Sequence, residues 1–149
     1  MSLPPQTPTD AQRRQLDDHT AAELTFDVDA VMATVDDDPH FEWQPMGSHL
    51  RGREECRRMY AAFLPRWDEL VRTRELRFEM RTEFWNDVGR SREQVAFVRN
   101  DNGGIDRHDF VVVVLFGRNG VKGERTYCSA AFARLTLGDY YDSLGAATT

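Results

Sequence analysis

The 149 residues carry a formal net charge of −6, with 40% hydrophobic and 11% aromatic residues. That length fits one domain able to bury about 68–70% of the surface its unfolded chain exposes, and the acidic balance argues against a nucleic-acid role, which needs a concentrated basic surface. With no apolar run near the ~20 residues of a membrane span, no basic-then-apolar leader, and no metal-ligand or disulfide-framework spacing around Cys56 and Cys128, the expectation is a cytoplasmic, membrane-free protein with no metal or cofactor.

Residues 1–8 hold three prolines and no packing pattern, so they read as a mobile tail ahead of a single domain over 9–145. Thr9 or Asp10 can cap a helix. From there Leu16, Ala21, Leu24, Val28, Val31, Met32 and Val35 recur at three- and four-residue spacing, which predicts one helix or two consecutive ones. Asp36 to Pro39 ends that region. Phe41 to Pro45 alternates as a short strand, Met46 to Gly52 reads as a loop, and a third helix follows with Cys56, Met59, Tyr60, Phe63, Leu64 and Trp67 on one side. Pro65 is expected to kink it or close it early.

Beyond this helix the pattern changes to strands: Leu76 to Trp85, Gln94 to Val98, and a hairpin whose arms are Arg107–Phe116 and Val121–Ser129. Asn100 to Gly104 and Arg118 to Gly120 are the turns. Phe110 to Phe116 is apolar at every position, so it must be covered on both faces. Ala130 to Leu137 suits a short helix stopped by Gly138. Helices first and a long antiparallel sheet after them predict an α+β domain with helices on one sheet face.

Several stretches in this order, His19-Thr-Ala-Ala-Glu23, Asp27-Val-Asp-Ala-Val-Met-Ala-Thr34, Asp38-Pro-His-Phe-Glu42 with Gly47 and Arg51-Gly-Arg53, and Gly123-Glu-Arg-Thr-Tyr127, resemble the SnoaL-like branch of the nuclear transport factor 2-like superfamily. The resemblance covers residues 16–137. It implies a cone, in which a curved sheet wraps a cavity, helices close it, and two copies dimerise through the sheet. It also implies a menu of activities, including polyketide cyclases, ketosteroid isomerases, epoxide hydrolases and members without chemistry, and fold alone does not choose among them.

If residues 117–120 form a four-residue loop, Phe116 faces Val121 and the pairs Val113/Glu124, Val111/Thr126 and Asp109/Cys128 share one face. A slip of one residue exchanges that face with the one carrying Phe110, Val112 and Arg125. Comparison with the epoxide-hydrolase branch puts Thr126 at an inward acid position, which selects the face of Asp109, Val111, Val113, Glu124, Thr126 and Cys128 for the cavity. The same comparison aligns Thr126, Gln94 and Ala96 with the three ionisable groups of those hydrolases, and none of the three ionises. Epoxide hydrolysis by that route is therefore disfavoured.

Proton abstraction next to a carbonyl asks for one base and one oxyanion donor. Asp109 is the candidate base, with Tyr60 or His19 as partner and His40 and His108 as further histidines. Trp43, Phe63, Trp67 and Trp85 supply an aromatic wall, although residues at such spacing also build ordinary cores. Cys128 reads as a small lining residue without an activating base. The reading is a homodimeric cone for a small hydrophobic or polycyclic carbonyl compound, acting as an isomerase- or cyclase-like acid–base enzyme. The alternative is a non-catalytic ligand-binding or accessory module, or a cone filled by its own aromatic side chains.

Overall fold

The computed structural model describes residues 7–44 and 46–146. Residues 1–6 of the expected tail and Pro45 lie outside the described residues. The first helical stretch divides in two. α1 (Asp10–Glu23) starts with a capping box, in which the Thr9 hydroxyl accepts from the Gln12 amide at 3.2 Å and the Gln12 side chain accepts from the Thr9 amide at 2.9 Å. Phe26, at φ 56°, breaks the run, and Asp27 caps α2 (Val28–Met32).

β1 (His40–Gln44) is followed by β2 (Ser48–Arg51), where a loop was expected. The strand forms because Ser48 and Leu50 are buried while His49 and Arg51 are not, an alternation that pairs with β1 from Trp43↔Ser48 to His40↔Arg51. α3 (Gly52–Arg74) continues through Pro65 for 23 residues, so the proline does not close it early. Leu64 and Leu70, both fully buried, anchor it on either side of the proline, and burying each contributes about 1.5–3 kcal/mol, enough to offset the lost backbone bond. β3 (Arg77–Trp85), β4 (Gly89–Arg99), β5 (Ile105–Phe116) and β6 (Val121–Tyr127) follow, then α4 (Ala130–Leu137), capped by Ser129, and α5 (Tyr140–Ala146).

The six strands form one sheet in the order β2-β1-β6-β5-β4-β3, with β1 and β6 parallel and all other neighbours antiparallel. α1 and α3 pack against its inner face, giving the expected α+β cone. One core cluster gathers Leu16, Met32, Phe41, Trp43 and Tyr60; a second gathers Leu70, Leu76, Phe110 and Phe132.

Two irregularities decide which side chains face inward. Phe116 pairs with Val121 as expected, but Leu115 pairs with Gly123, so Lys122 is an additional residue in β6 and every pair above it is shifted. The observed pairs are Val114↔Glu124 and Val112↔Thr126. Glu124 and Thr126 keep their expected inward placement, while Val111 and Val113 turn outward. A second shift in β3, between Met80 and Thr82, turns Glu83 and Trp85 inward and Phe84 outward.

Gly123 also permits β1 to join β6, since a Cβ there would lie 1.8 Å from the His40 carbonyl oxygen. Gly123→Ala is expected to lower the unfolding free energy by about 3 kcal/mol, because the opposing atom is backbone and has no rotamer to change. Chemical denaturation measures this, and an unchanged midpoint would refute so close an approach.

Candidate functional site

Between the helices and the inner sheet face lies a cavity of about 230 Å³. Trp43, Phe63, Trp67, Phe78, Phe110 and Phe132 wall it, in successive ring contacts with centroids 5.0–6.2 Å apart. The aromatic side chains thus surround a space instead of filling it. Leu24 and Phe78 are the exposed residues of the lining and mark its open side.

The polar lining comes from α1 (Thr20, Glu23), α3 (Tyr60), β4 (Arg90, Arg92, Gln94) and β6 (Glu124, Thr126). His19 stands directly behind it, fully buried. Its Nδ1 lies 2.7 Å from the Thr34 hydroxyl, which itself lies 2.6 Å from the Val31 carbonyl. The hydroxyl gives its single hydrogen to that carbonyl, so it accepts from His19 Nδ1–H. Proton exchange at His19 is thereby confined to Nε2, which faces the Tyr60 hydroxyl at 3.2 Å, Glu124 at 3.4 Å and Glu23 at 3.6 Å.

Burial in this apolar surround pushes the Glu23 carboxyl up to about 7, and the neighbouring Glu124 charge adds to the rise. Burial alone would pull the imidazole down, but Glu23 and Glu124 outweigh it and the pKa of His19 is raised. The Tyr60 phenol, 3.3 Å from Glu23, is raised well above its ordinary value by burial and by the two carboxylates, so it stays protonated. An imidazole, a phenol and two carboxyl groups therefore meet at one end of an apolar cavity.

The structure relocates Asp109. It stands on the outer sheet face, 55% exposed, with Arg107 at 2.9 Å and Arg81 at 3.5 Å. The Arg107 hydrogen bonds hold its carboxyl below the usual range, the opposite of what a base in an apolar site requires. The cause is the additional residue Lys122, which shifts the register and moves Asp109, Val111 and Val113 to the outside. Val112 and Val114 take their places in the lining. Trp85 faces inward but beyond the cavity, stacked on Phe116 at 6.3 Å. Cys128 packs between the two core clusters, and burial raises its thiol to about 11. Trp43, Tyr60, Phe63, Trp67, Glu124 and Thr126 all line the cavity. His108 stacks on Phe132, and His40 on His49.

Glu23, Arg90 and Arg92 are site residues that the sequence reading did not single out. Glu23 was legible: Leu16, His19 and Glu23 recur at helical spacing, which puts a carboxylate on the buried stripe of α1. Arg90 and Arg92 were not, because a charged residue in an alternating strand is ordinarily read as facing solvent.

Among the described residues, two groups have donor atoms within 4.8 Å of one another, the spacing of a divalent-cation site: His19, Glu23 and Glu124 at the cavity, and His40, Glu42 and His49 on the outer face. A guanidinium opposes a cation at each. Arg90 acts on both His19 and Glu23, and Arg125 lies 3.6 Å from Glu42.

No protein-family model matches the chain, and no curated protein matches it in sequence. Solved structures do. A nuclear transport factor 2-like protein from Burkholderia xenovorans LB400 superposes with a TM-score of 0.61 at 18% identity, over 87% of this chain and 98% of its own. An epoxide hydrolase/cyclase-like enzyme of pyran ring formation in the polyether salinomycin gives 0.58 at 15% identity, over 80% and 91%. A candidate SnoaL-like polyketide cyclase from Jannaschia sp. CCS1 gives 0.61 at 9% identity, over 90% and 98%. At these identities the likeness is one of fold, and the fold of this chain is that of the nuclear transport factor 2-like superfamily, the one its SnoaL-like branch shares.

Proposed function

We propose that the cavity takes up a compact, largely apolar carbonyl compound and that Glu23, with His19, Tyr60 and Glu124, moves a proton on it in an isomerase- or cyclase-like reaction that uses no cofactor. The observation that carries this reading is Glu23 itself, a carboxyl on an apolar cavity titrating at about 7, close to the working pH at which a general base is most effective. Glu23 takes the proton from a carbon next to the carbonyl. The C–H electron pair becomes a C=C bond and the carbonyl π pair moves to oxygen as an enolate. In a β,γ-unsaturated ketone the enolate extends over the second C=C bond; the oxygen pair then re-forms the C=O while the γ-carbon takes the proton back from Glu23, which moves the double bond into conjugation. The Tyr60 phenol remains a donor throughout, and His19 exchanges protons with Glu23 and Glu124 through Nε2.

The cavity volume of about 230 Å³ lies just below the ~300–1,000 Å³ of typical ligand pockets, which favours one or two rings over a larger polycycle. Cyclase-like chemistry in a solved neighbour of the same fold is consistent with acid–base work in such a cone.

Exchange of α-protons in D2O, followed by proton NMR on 2-tetralone and 2-indanone, tests the proposal without knowledge of the natural substrate. The expected result is catalysed exchange that rises with pH through about 7 and falls at least ~100-fold in Glu23→Gln. Binding of these ketones with no exchange at any pH would establish the non-catalytic module instead.

The same carboxyl has a stability signature. Its folded pKa of about 7 lies above its ordinary 4.5, so the stabilisation tied to its protonated form is complete below about pH 4.5 and is lost as pH rises through about 7. His19 has the same sign: its raised pKa gives stabilisation that is complete below 6.5 and lost above. Glu23→Gln is therefore expected to raise stability at pH 8 by up to about 3 kcal/mol and to change it little at pH 5, as read by thermal denaturation at the two pH values.

The homodimer belongs to this reading too. The outer face carries a row running Phe84, Ser91, Val113, Arg125, with Val111 and Tyr127 in the next row, and Phe84 and Tyr127 are large exposed apolar groups. Sedimentation is expected to give twice the 17.2 kDa of the chain, and Val113→Glu is expected to return it to the monomer; a wild-type monomer would refute the interface.

A further inference from the structure

We infer that Arg90 is a recognition site for a carboxylate, and that the cavity's ligand is a mono-anion with an apolar body. This rests on the reading of the cavity as a ligand site and names the class of molecule it takes.

Arg90 is 6% exposed and lines the cavity from β4. Its Nε and Nη1 are the buried side-chain nitrogens without a hydrogen-bond partner among the described residues, and Nη2 has only the Thr20 hydroxyl at 3.5 Å. A guanidinium does not shed its charge in a protein, so these N–H groups remain buried cationic donors on a side chain that lines the cavity.

Every carboxylate that acts on Arg90 is engaged elsewhere. Glu83, turned inward by the β3 irregularity, is held by Arg92 and by the Trp85 indole at 2.6 Å. Glu23 and Glu124 face His19 Nε2 and Tyr60. Arg92 adds a second positive charge from the same strand. The face of Trp85 lies 5.4 Å from the guanidinium, a cation–π contact that holds the group in place without supplying an acceptor. Arg92 is paired with Glu83, and His19 meets Glu23 and Glu124. Among the described residues that line the cavity, Arg90 is left as the cation without a carboxylate partner.

A carboxylate supplies what is missing, since its two oxygens match the guanidinium fork and the resulting charge-assisted bonds are among the strong ones. A dianion such as a phosphate monoester fits less well, because Glu23 and Glu124 share the compartment and repel a second negative charge. The apolar body of the ligand then lies along Trp43, Phe63 and Trp67.

Calorimetric titration at pH 7 with three probes of one shape, 2-naphthoate, 2-naphthamide and 2-naphthyl phosphate, tests the assignment on wild type and on Arg90→Gln. The expected result is that naphthoate binds wild type at least about tenfold more tightly than the amide and more tightly than the phosphate, and that Arg90→Gln removes the preference for naphthoate over the amide. Equal binding of naphthoate and naphthamide by wild type, or a preference that survives in Arg90→Gln, would overturn the role of Arg90 while leaving the cavity as a ligand site. A preference for the phosphate would overturn the ligand class. Failure of all three to bind would overturn the cavity reading and this inference together. The wild-type comparison decides the question even where the variant does not fold.

Discussion

Side chains on a strand alternate between faces, so one additional residue in a ladder reverses the facing of everything beyond it. The inner surface of this sheet depends on that constraint twice. Lys122 in β6 brings Val112 and Val114 of β5 onto the face of Glu124 and Thr126, and sends Asp109 out to its arginines. The shift in β3 puts Glu83 opposite Arg92 and Trp85 opposite Arg90, so the inward arginines of β4 meet a carboxylate and an aromatic face. The same shift exposes Phe84 on the outer side. Inner chemistry and outer apolar surface thus follow from the same two residues of slack.

The start of β6 is pinned from several directions. Val121 exchanges backbone hydrogen bonds with Thr34 and Asp36, and the Asp36 carboxylate accepts from the Arg118 amide at 2.8 Å. Burial would raise the Asp36 carboxyl, but the amides of Arg118 and Asp37 outweigh it and its pKa is lowered. Asp36 therefore locks the hairpin turn to the segment after α2. The Lys122 ammonium, 3.5 Å from the Asp38 carboxylate, is drawn out of the ladder on the same side, and Gly123 then leaves room for the His40 carbonyl. An acidic run that reads in the sequence as the end of a helix has a second task, which is to fix the register on which the cavity depends.

Most of the fold was legible because it rests on periodicity. The α1 and α3 stripes, the two turns, and the α4 helix between Ser129 and Gly138 are local patterns, and local patterns survive into the structure. Half of the site was legible for the same reason: Glu124 and Thr126 lie on β6 beyond the irregularity and belong to one face whatever β5 does. Asp109, Val111 and Val113 could not be placed, because their facing depends on a bulge residue, Lys122, whose displacement is set by Asp36 and Asp38 more than eighty positions earlier. Met46 to Gly52 was missed for a different reason, since a four-residue strand has only two buried positions with which to announce itself.

The polar end of the cavity costs stability, and its arrangement shows how the cost is contained. A buried carboxyl, a buried imidazole and an unpartnered guanidinium each oppose folding when charged. Glu23 avoids the penalty by holding its proton up to about pH 7. The pKa of His19 is raised by the two acids beside it, and Thr34 fixes its ring so that Nε2 points at them. Arg90 has no such escape, because its charge does not titrate away in the accessible range. Among these groups it alone needs something from outside the chain, and a ligand that brings a negative charge to it recovers a desolvation cost already incurred on folding. Binding energy obtained in that way is specific by construction: a neutral analogue of the same shape fills the same space but brings no negative charge to the guanidinium.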